Sequence, residues 1–125
     1  MDPVHLFQLA STRAQWLATR QTAVANNIAN ANTPGYGAMD VAPFESVLDK
    51  TGMGMAATNA GHISSSADSS GFKLVKETPP AFSPDGKPVR IERELARSAE
   101  IRAEYELNTA IVKSFHRMLM LVAKS

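Results

Sequence analysis

The chain has 125 residues, a formal net charge of +1 and no cysteine. This length suits a single domain, and the balanced charge argues against a dedicated nucleic-acid surface, so no nucleic-acid partner is expected. Without cysteine the chain can form neither a disulfide framework nor a thiolate metal site. The N-terminal sequence lacks the basic start and apolar block of a secretory signal peptide, so we expect that no such peptide is cleaved.

The first predicted element is a long helix over about residues 4–30. Pro3 suits the first helical position, and Pro34 requires the helix to end before it. Arg13 and Arg20 are expected on the face opposite the packing seam. That seam has positions spaced three or four residues apart, with one polar interruption: Phe7, Ala10, Ala14, Leu17, Gln21, Val24 and Ile28.

Residues 37–86 are predicted to form a loop-rich insert with little β structure. One short helix should begin near Pro43, with three apolar residues on one face: Phe44, Val47 and Leu48. The sequence "FKLVKE" at 72–77 is the best candidate for a short strand. Small polar residues at 51–71 predict a flexible loop, and four prolines in 78–88 exclude a helix there.

A second long helix is predicted over 89–124, because this region contains no proline or glycine. Its first half is laced with charges at helical spacing, such as Glu94 with Arg97. Its apolar positions follow a three-and-four spacing, with polar Ser98, Arg102 and Thr109 between them: Ile91, Leu95, Tyr105, Val112, Phe115, Leu119 and Val122.

These patterns predict a mainly α fold whose two long terminal helices pack as an antiparallel, coiled-coil-like pair. Residues 1–36 and 87–125 would form one discontinuous helical domain around the insert. The helix-packing contacts are expected from apolar residues of both helices: Phe7, Leu17, Val24, Leu95, Tyr105, Val112, Phe115, Leu119 and Val122.

The end of the second helix has more apolar surface than one partner helix can cover. Met118 to Val122 are five consecutive apolar residues, so they point in every direction around the helix axis. Other chains must bury the remainder, or it is an exposed contact site. The alternative is a frayed terminal helix that caps a small core.

Four asparagines, Asn26, Asn27, Asn30 and Asn32, stand just before a Thr-Pro-Gly-Tyr turn. Asparagine is a poor helix former because its amide competes for backbone hydrogen bonds. In a packed array of helices, such amides can bridge to neighbouring backbones and fix a register. The alternative is an ordinary helix C-terminus, where asparagine is common.

The sequence "ANNIANANTPGY" at 25–36 resembles the N-terminal signature of bacterial flagellar rod and hook proteins. Shorter stretches are similar to the proximal type within the flagellar basal-body rod family: "GHI" at 61–63, "DGKPV" at 85–89 and "ERELARSAEIRAEYE" at 92–106. The resemblance implies that the signature is an assembly motif formed by Asn26, Asn27, Ile28, Asn30, Asn32, Thr33, Pro34, Gly35 and Tyr36.

The same resemblance implies a structural subunit of the flagellar basal body. Such a subunit would pass unfolded through the type III export apparatus and polymerise with copies of itself and other rod proteins. Its terminal helices would form a tube wall on the periplasmic side of the inner membrane. Through an adaptor protein, it would link the membrane ring and export gate to later rod proteins. The alternative is a coiled-coil export chaperone or secreted adaptor that does not polymerise.

The sequence predicts no enzyme, no catalytic site, no metal site and no cofactor. His5, His62 and His116 are scattered, and none has a second ligand at a spacing that would form a zinc site. Ser64 and Asp68 lie near His62, but this stretch lacks a scaffold to fix a catalytic triad.

Overall fold

A computed structural model describes residues 3–52, 72–77 and 89–124. In chain order it has helix α1 (Pro3–Ala29), strand β1 (Met39–Val41), helix α2 (Phe44–Gly52), strand β2 (Leu74–Lys76) and helix α3 (Ile91–Ala123). This confirms the predicted mainly helical fold with two long terminal helices. The predicted flexible loop, except for its first two residues, lies outside the described residues, as does nearly all of the proline-rich stretch. In the described ranges, no helix is both long and apolar enough to cross a membrane.

The two long helices pack side by side in opposite directions. Near the end of α1, Asn27 contacts Glu94 at the start of α3. Toward the start of α1, Arg13 contacts Glu104, and Phe7 packs edge-to-face against Phe115 with ring centroids 5.9 Å apart. Residue numbers fall along one helix as they rise along the other, which confirms the antiparallel pairing.

A small structural unit that we call the strap, formed by β1, α2 and β2, packs against α1. The strands pair antiparallel, with Met39 opposite Lys76 and Val41 opposite Leu74. Two more backbone hydrogen bonds extend this ladder by one residue at each end. The indole nitrogen of Trp16 donates to the carbonyl of Ala42 over 2.9 Å and fixes the strap to α1. The strand at "FKLVKE" was predicted, whereas its partner β1 was not.

The core lies where α1, α3 and the strap meet. It is built from buried apolar residues of all three elements: Trp16, Leu17, Val24, Val41 and Ile101. Phe44 and Val47 of the predicted short helix pack against this cluster. Helix α1 therefore buries two faces, one toward α3 and one toward the strap.

The second buried face of α1 corrects the expectation for its arginines. Arg13 and Arg20 do not lie on an open face but stack on the ring of Trp16, at 4.6 and 5.4 Å from the ring centroid. The arginine side chains are drawn there by carboxylates, because Arg13 pairs with Glu104 and Arg20 with Asp40. Cation–π contact and ion pairing thus complete the packing of the strap.

The seam along α3 differs from the predicted one in its first half. The buried residues there are Glu94, Arg97 and Ile101, whereas Leu95 and Tyr105 are 57% and 50% exposed. The predicted seam is one position out there because it was built on the apolar residues and left out Glu94 and Arg97. In the second half, half-buried residues occur at predicted positions: Val112, Phe115 and Leu119. Val122 is exposed in the single chain, and its packing role, like those of Leu95 and Tyr105, stays a prediction.

Two leucine truncations test this assignment of the seam. Leu17→Ala removes a fully buried side chain and should lower the free energy of unfolding by about 2–4 kcal/mol. Leu95→Ala removes an exposed leucine and should change that free energy by less than about 0.5 kcal/mol. Urea titration followed by far-UV circular dichroism measures both values. Equal losses in the two variants would mean that α3 packs through the originally predicted positions.

Candidate assembly site

The signature segment begins in the last residues of α1, and Asn30 follows directly after the helix. Its side-chain nitrogen donates to the carbonyl of Asn26 over 2.8 Å, and its side-chain oxygen accepts from the Thr33 hydroxyl. The backbone continues the turn, since the Thr33 N–H bonds to the Asn30 carbonyl. The Asn30 side chain therefore adds a second hydrogen bond to the Asn26 carbonyl, which already accepts from the Asn30 backbone N–H over 3.0 Å.

The Pro-Gly step reverses the chain and returns it to α1. Gly35 has a φ of +79°, a conformation that suits glycine, so Tyr36 points back toward the helix. The ring of Tyr36 packs on a second small cluster formed by Ala31, Ala38 and Val89. Its hydroxyl donates to the side-chain oxygen of Asn27 over 2.9 Å.

Asn27 is the centre of the segment. It is completely buried. Its amide nitrogen donates to the Met39 carbonyl over 2.8 Å and to the Glu94 carboxylate over 3.1 Å. Its oxygen accepts from the Tyr36 hydroxyl and from the Met39 N–H, the latter over 3.0 Å. Two donors and two acceptors are the full capacity of an asparagine amide, so one side chain connects α1, the turn, β1 and α3.

The partner carboxylate of Asn27 is also buried and needs a counter-charge. Glu94 is 1% exposed, and its second oxygen accepts from Arg97 over 3.3 Å. Arg97 in turn binds Glu77 at the end of β2 and lies 3.8 Å from Asp40 of β1. A buried carboxylate without these partners would be strongly unfavourable, so the strap and α3 hold each other through this network.

The network keeps Arg97 charged. Burial of the guanidinium disfavours its charged form, but the hydrogen bond with Glu77 and the charges of the three surrounding carboxylates outweigh this effect and raise the pKa of Arg97. A base whose pKa rises on folding contributes stability below its ordinary pKa. This contribution is therefore complete at neutral pH and is lost only in strongly alkaline solution.

The structure divides the signature into an inner and an outer part. Asn27 is buried, and Ile28 and Tyr36 are half-buried against the two apolar clusters. The outer part consists of exposed residues: Asn26, Asn32, Thr33, Pro34 and Gly35. The amide of Asn27 is saturated within the chain and cannot bridge to a neighbour. For Asn26 and Asn32, bridging to another subunit stays a prediction.

The far end of the helix pair is apolar and open. Beyond Phe115, which packs on Phe7, α3 continues to Ala123. Met118, Met120 and Leu121 are at least half exposed there. This is the segment for which the sequence predicted more apolar surface than one partner can cover.

Sequence reasoning missed the buried ionic residues Glu94 and Arg97 and their half-buried partner Asp40, although the Glu94–Arg97 spacing was recognised. His5 and His116 are exposed, and the segment with His62, Ser64 and Asp68 lies outside the described residues. Among the described residues, no group of three or more His, Cys, Asp or Glu side chains could hold a metal ion.

Comparisons with known proteins give a consistent result. A family model described as flagella basal body rod protein matches residues 7–36, which include most of α1 and the signature turn. The flagellar basal body rod protein FlgB of Agrobacterium fabrum is 43% identical over 130 residues, covering 99% of this chain and 96% of the relative. FlgB of Salmonella typhimurium is 35% identical, covering 78% of this chain and 77% of the relative. FlgB of Bacillus subtilis is 28% identical over 70% of this chain and 68% of the relative.

Neighbouring asparagines provide a matched test of the inner part. Asn27→Ala leaves the Met39 backbone groups and the Glu94 carboxylate short of partners, so the free energy of unfolding should fall by about 2–4 kcal/mol. Asn26→Ala changes an exposed residue of the same type one position away and should have little effect. Urea titration measures both losses. A loss for Asn26→Ala as large as that for Asn27→Ala would contradict the central role of Asn27.

Proposed function

The chain belongs to the flagellar basal body rod protein family, and from this membership we propose that it polymerises through its two terminal helices into the tubular rod. A rod protein is a structural component of the basal body, and such components are not a class of enzymes. We propose further that the subunit is joined to its neighbours through the end of α3, because that end has an exposed apolar surface.

The helix pair has one closed end and one open end. At the closed end, the signature turn, the strap and the start of α3 bury a saturated polar network around Asn27. At the open end, Met118 and Leu121 are 55% and 65% exposed. Contiguous exposed apolar surface is unfavourable in water and is characteristic of contact sites. Burial between subunits would remove this surface from water and stabilise the assembly.

The neighbours that this proposal requires are the other components of the basal body. We propose contacts with copies of the same chain and with other rod proteins on the periplasmic side of the inner membrane. At the base, the rod–ring adaptor would connect the subunit to the membrane ring and the type III export gate. The exposed part of the signature, including Asn26 and Asn32, offers amides for polar contacts with these neighbours.

The other candidate function was a chaperone or secreted adaptor that binds one partner without polymerising. Family membership favours the rod, because this chain aligns with 96% of the length of the rod protein from Agrobacterium fabrum. The two candidates differ in where the chain is found. A rod subunit is recovered with isolated basal bodies, whereas a chaperone stays behind.

Two double variants test the proposed role of the open end. Met118→Gln with Leu121→Gln makes this surface polar without shortening the chain, and we expect loss of swimming and of recovery in basal bodies. The matched control is Leu74→Gln with Val75→Gln, which changes two exposed apolar residues of β2. Both proteins are produced in a strain that lacks its own copy, and circular dichroism checks that they stay helical.

The proposal predicts that only the α3 variant fails to restore swimming. If both variants restored swimming fully, the open end would have no part in assembly. If the strain without any copy still swam, the chain would not be an essential rod subunit.

A further inference from the structure

The apolar surface of α3 extends beyond the part that its own α1 covers. A regular stripe of exposed residues runs along the second half of the helix at steps of four, three, four and three: Leu107, Ile111, Ser114, Met118 and Leu121. This is the spacing of a helix-packing seam, and Leu107 is 61% exposed. The stripe adjoins the α1–α3 interface, where Val112 and Phe115 are half-buried, so one apolar surface has room for a second helix beside α1.

Helix α1 carries a second stripe of the same spacing. Its members are exposed, uncharged and mostly small, at steps of three and four: Gln8, Ser11, Gln15, Ala18, Thr22 and Ala25. The seam by which α1 already packs on α3 has a similar character, since it includes Ala10, Ala14 and Gln21. A helix with large apolar side chains can seat on either face without burying a charge.

The two stripes lie on opposite sides of the helix pair. With about 3.6 residues per turn, α1 divides its circumference among the seam toward α3, the side toward the strap and the exposed stripe. The stripe of α3 lies on the strap side, next to the face that carries Arg97 and Glu104. A contact between opposite sides of identical subunits is heterologous, and its repetition gives a ring or a helical tube.

We propose that the α3 stripe of one subunit packs against the α1 stripe of a second copy of this chain. This inference rests on the proposed function, because it names the two surfaces through which the subunits polymerise. Each α3 would then lie between two α1 helices, its own and that of its neighbour. The large side chains Leu107, Ile111 and Met118 would occupy the spaces between the small residues of the neighbouring α1.

The absence of native cysteine makes disulfide trapping a direct test. Two single-cysteine chains are produced together in a strain that also carries the wild-type chain, so that the wild-type copies maintain the rod. One chain carries Ser11→Cys or Ala18→Cys in the α1 stripe, and the other carries Met118→Cys in the α3 stripe. Basal bodies are isolated and oxidised, and the fraction of covalent dimer is measured.

The matched control replaces Met118→Cys with Met120→Cys. These methionines are 55% and 50% exposed at nearly the same level of α3, but they point to opposite sides of the helix. Because a disulfide requires Cα atoms within about 7 Å, at least one α1 position should give about fivefold more dimer with Met118→Cys than with Met120→Cys.

The outcomes separate the inference from the proposed function. If the cysteine chains are recovered in basal bodies but Met118→Cys links no better than Met120→Cys, the pairing of the stripes is wrong and the rod function stands. Predominant linking of Met118→Cys chains to one another would show a contact between two α3 helices and would also overturn the inference. If the chains are absent from basal bodies, both the proposed function and the inference fail.

Discussion

The buried amide of Asn27 is the constraint on which the rest of the structure depends. A buried amide is tolerated only when its hydrogen-bonding groups are satisfied, and here all four partner groups come from the chain itself. Supplying them requires the chain to turn back after α1 so that Tyr36 and Met39 reach the helix. It also requires the start of α3 to lie beside the end of α1, where Glu94 accepts from the amide. One side chain thus determines where three separate parts of the sequence meet.

The need for a partner extends from Asn27 through a chain of charged residues. Because Glu94 is buried, it needs Arg97, and Arg97 in turn needs the carboxylates of Asp40 on β1 and of Glu77 just after β2. A three-residue strand pair is marginal by itself. Here it is held by the ionic contacts of Asp40 and Glu77 with α3 and by the Trp16 hydrogen bond to Ala42. The strap is therefore stable because of its partners, not because of its own strand pairing.

Sequence periodicity predicted the elements better than it predicted their contacts. In α1 the predicted seam from Phe7 to Ile28 contains the buried core residues Leu17 and Val24, but it leaves out the buried Trp16 and Asn27. In α3 the same method was one residue out, since it followed the apolar residues and left out the buried pair Glu94 and Arg97. The strand β1 could not be predicted because three residues carry too little pattern, and its place depends on the distant amide of Asn27. The four asparagines were recognised as unusual, but nothing in their local sequence separates the buried Asn27 from the exposed Asn26.

The buried polar network at the closed end also fixes the register of α3 along α1, which an apolar seam alone determines only weakly. Residues that repeat every seven positions can pack almost equally well after one helix slides by a heptad, so such a seam determines the register weakly. A buried network does not slide, because displacement would leave Asn27, Glu94 and Arg97 without partners. Replacing such ionic groups by apolar ones can increase stability, so their presence here is better explained by the register they impose than by the stability they add. A subunit that must present two exposed stripes to its neighbours needs that register, because a slip of α3 along α1 would move one stripe relative to the other.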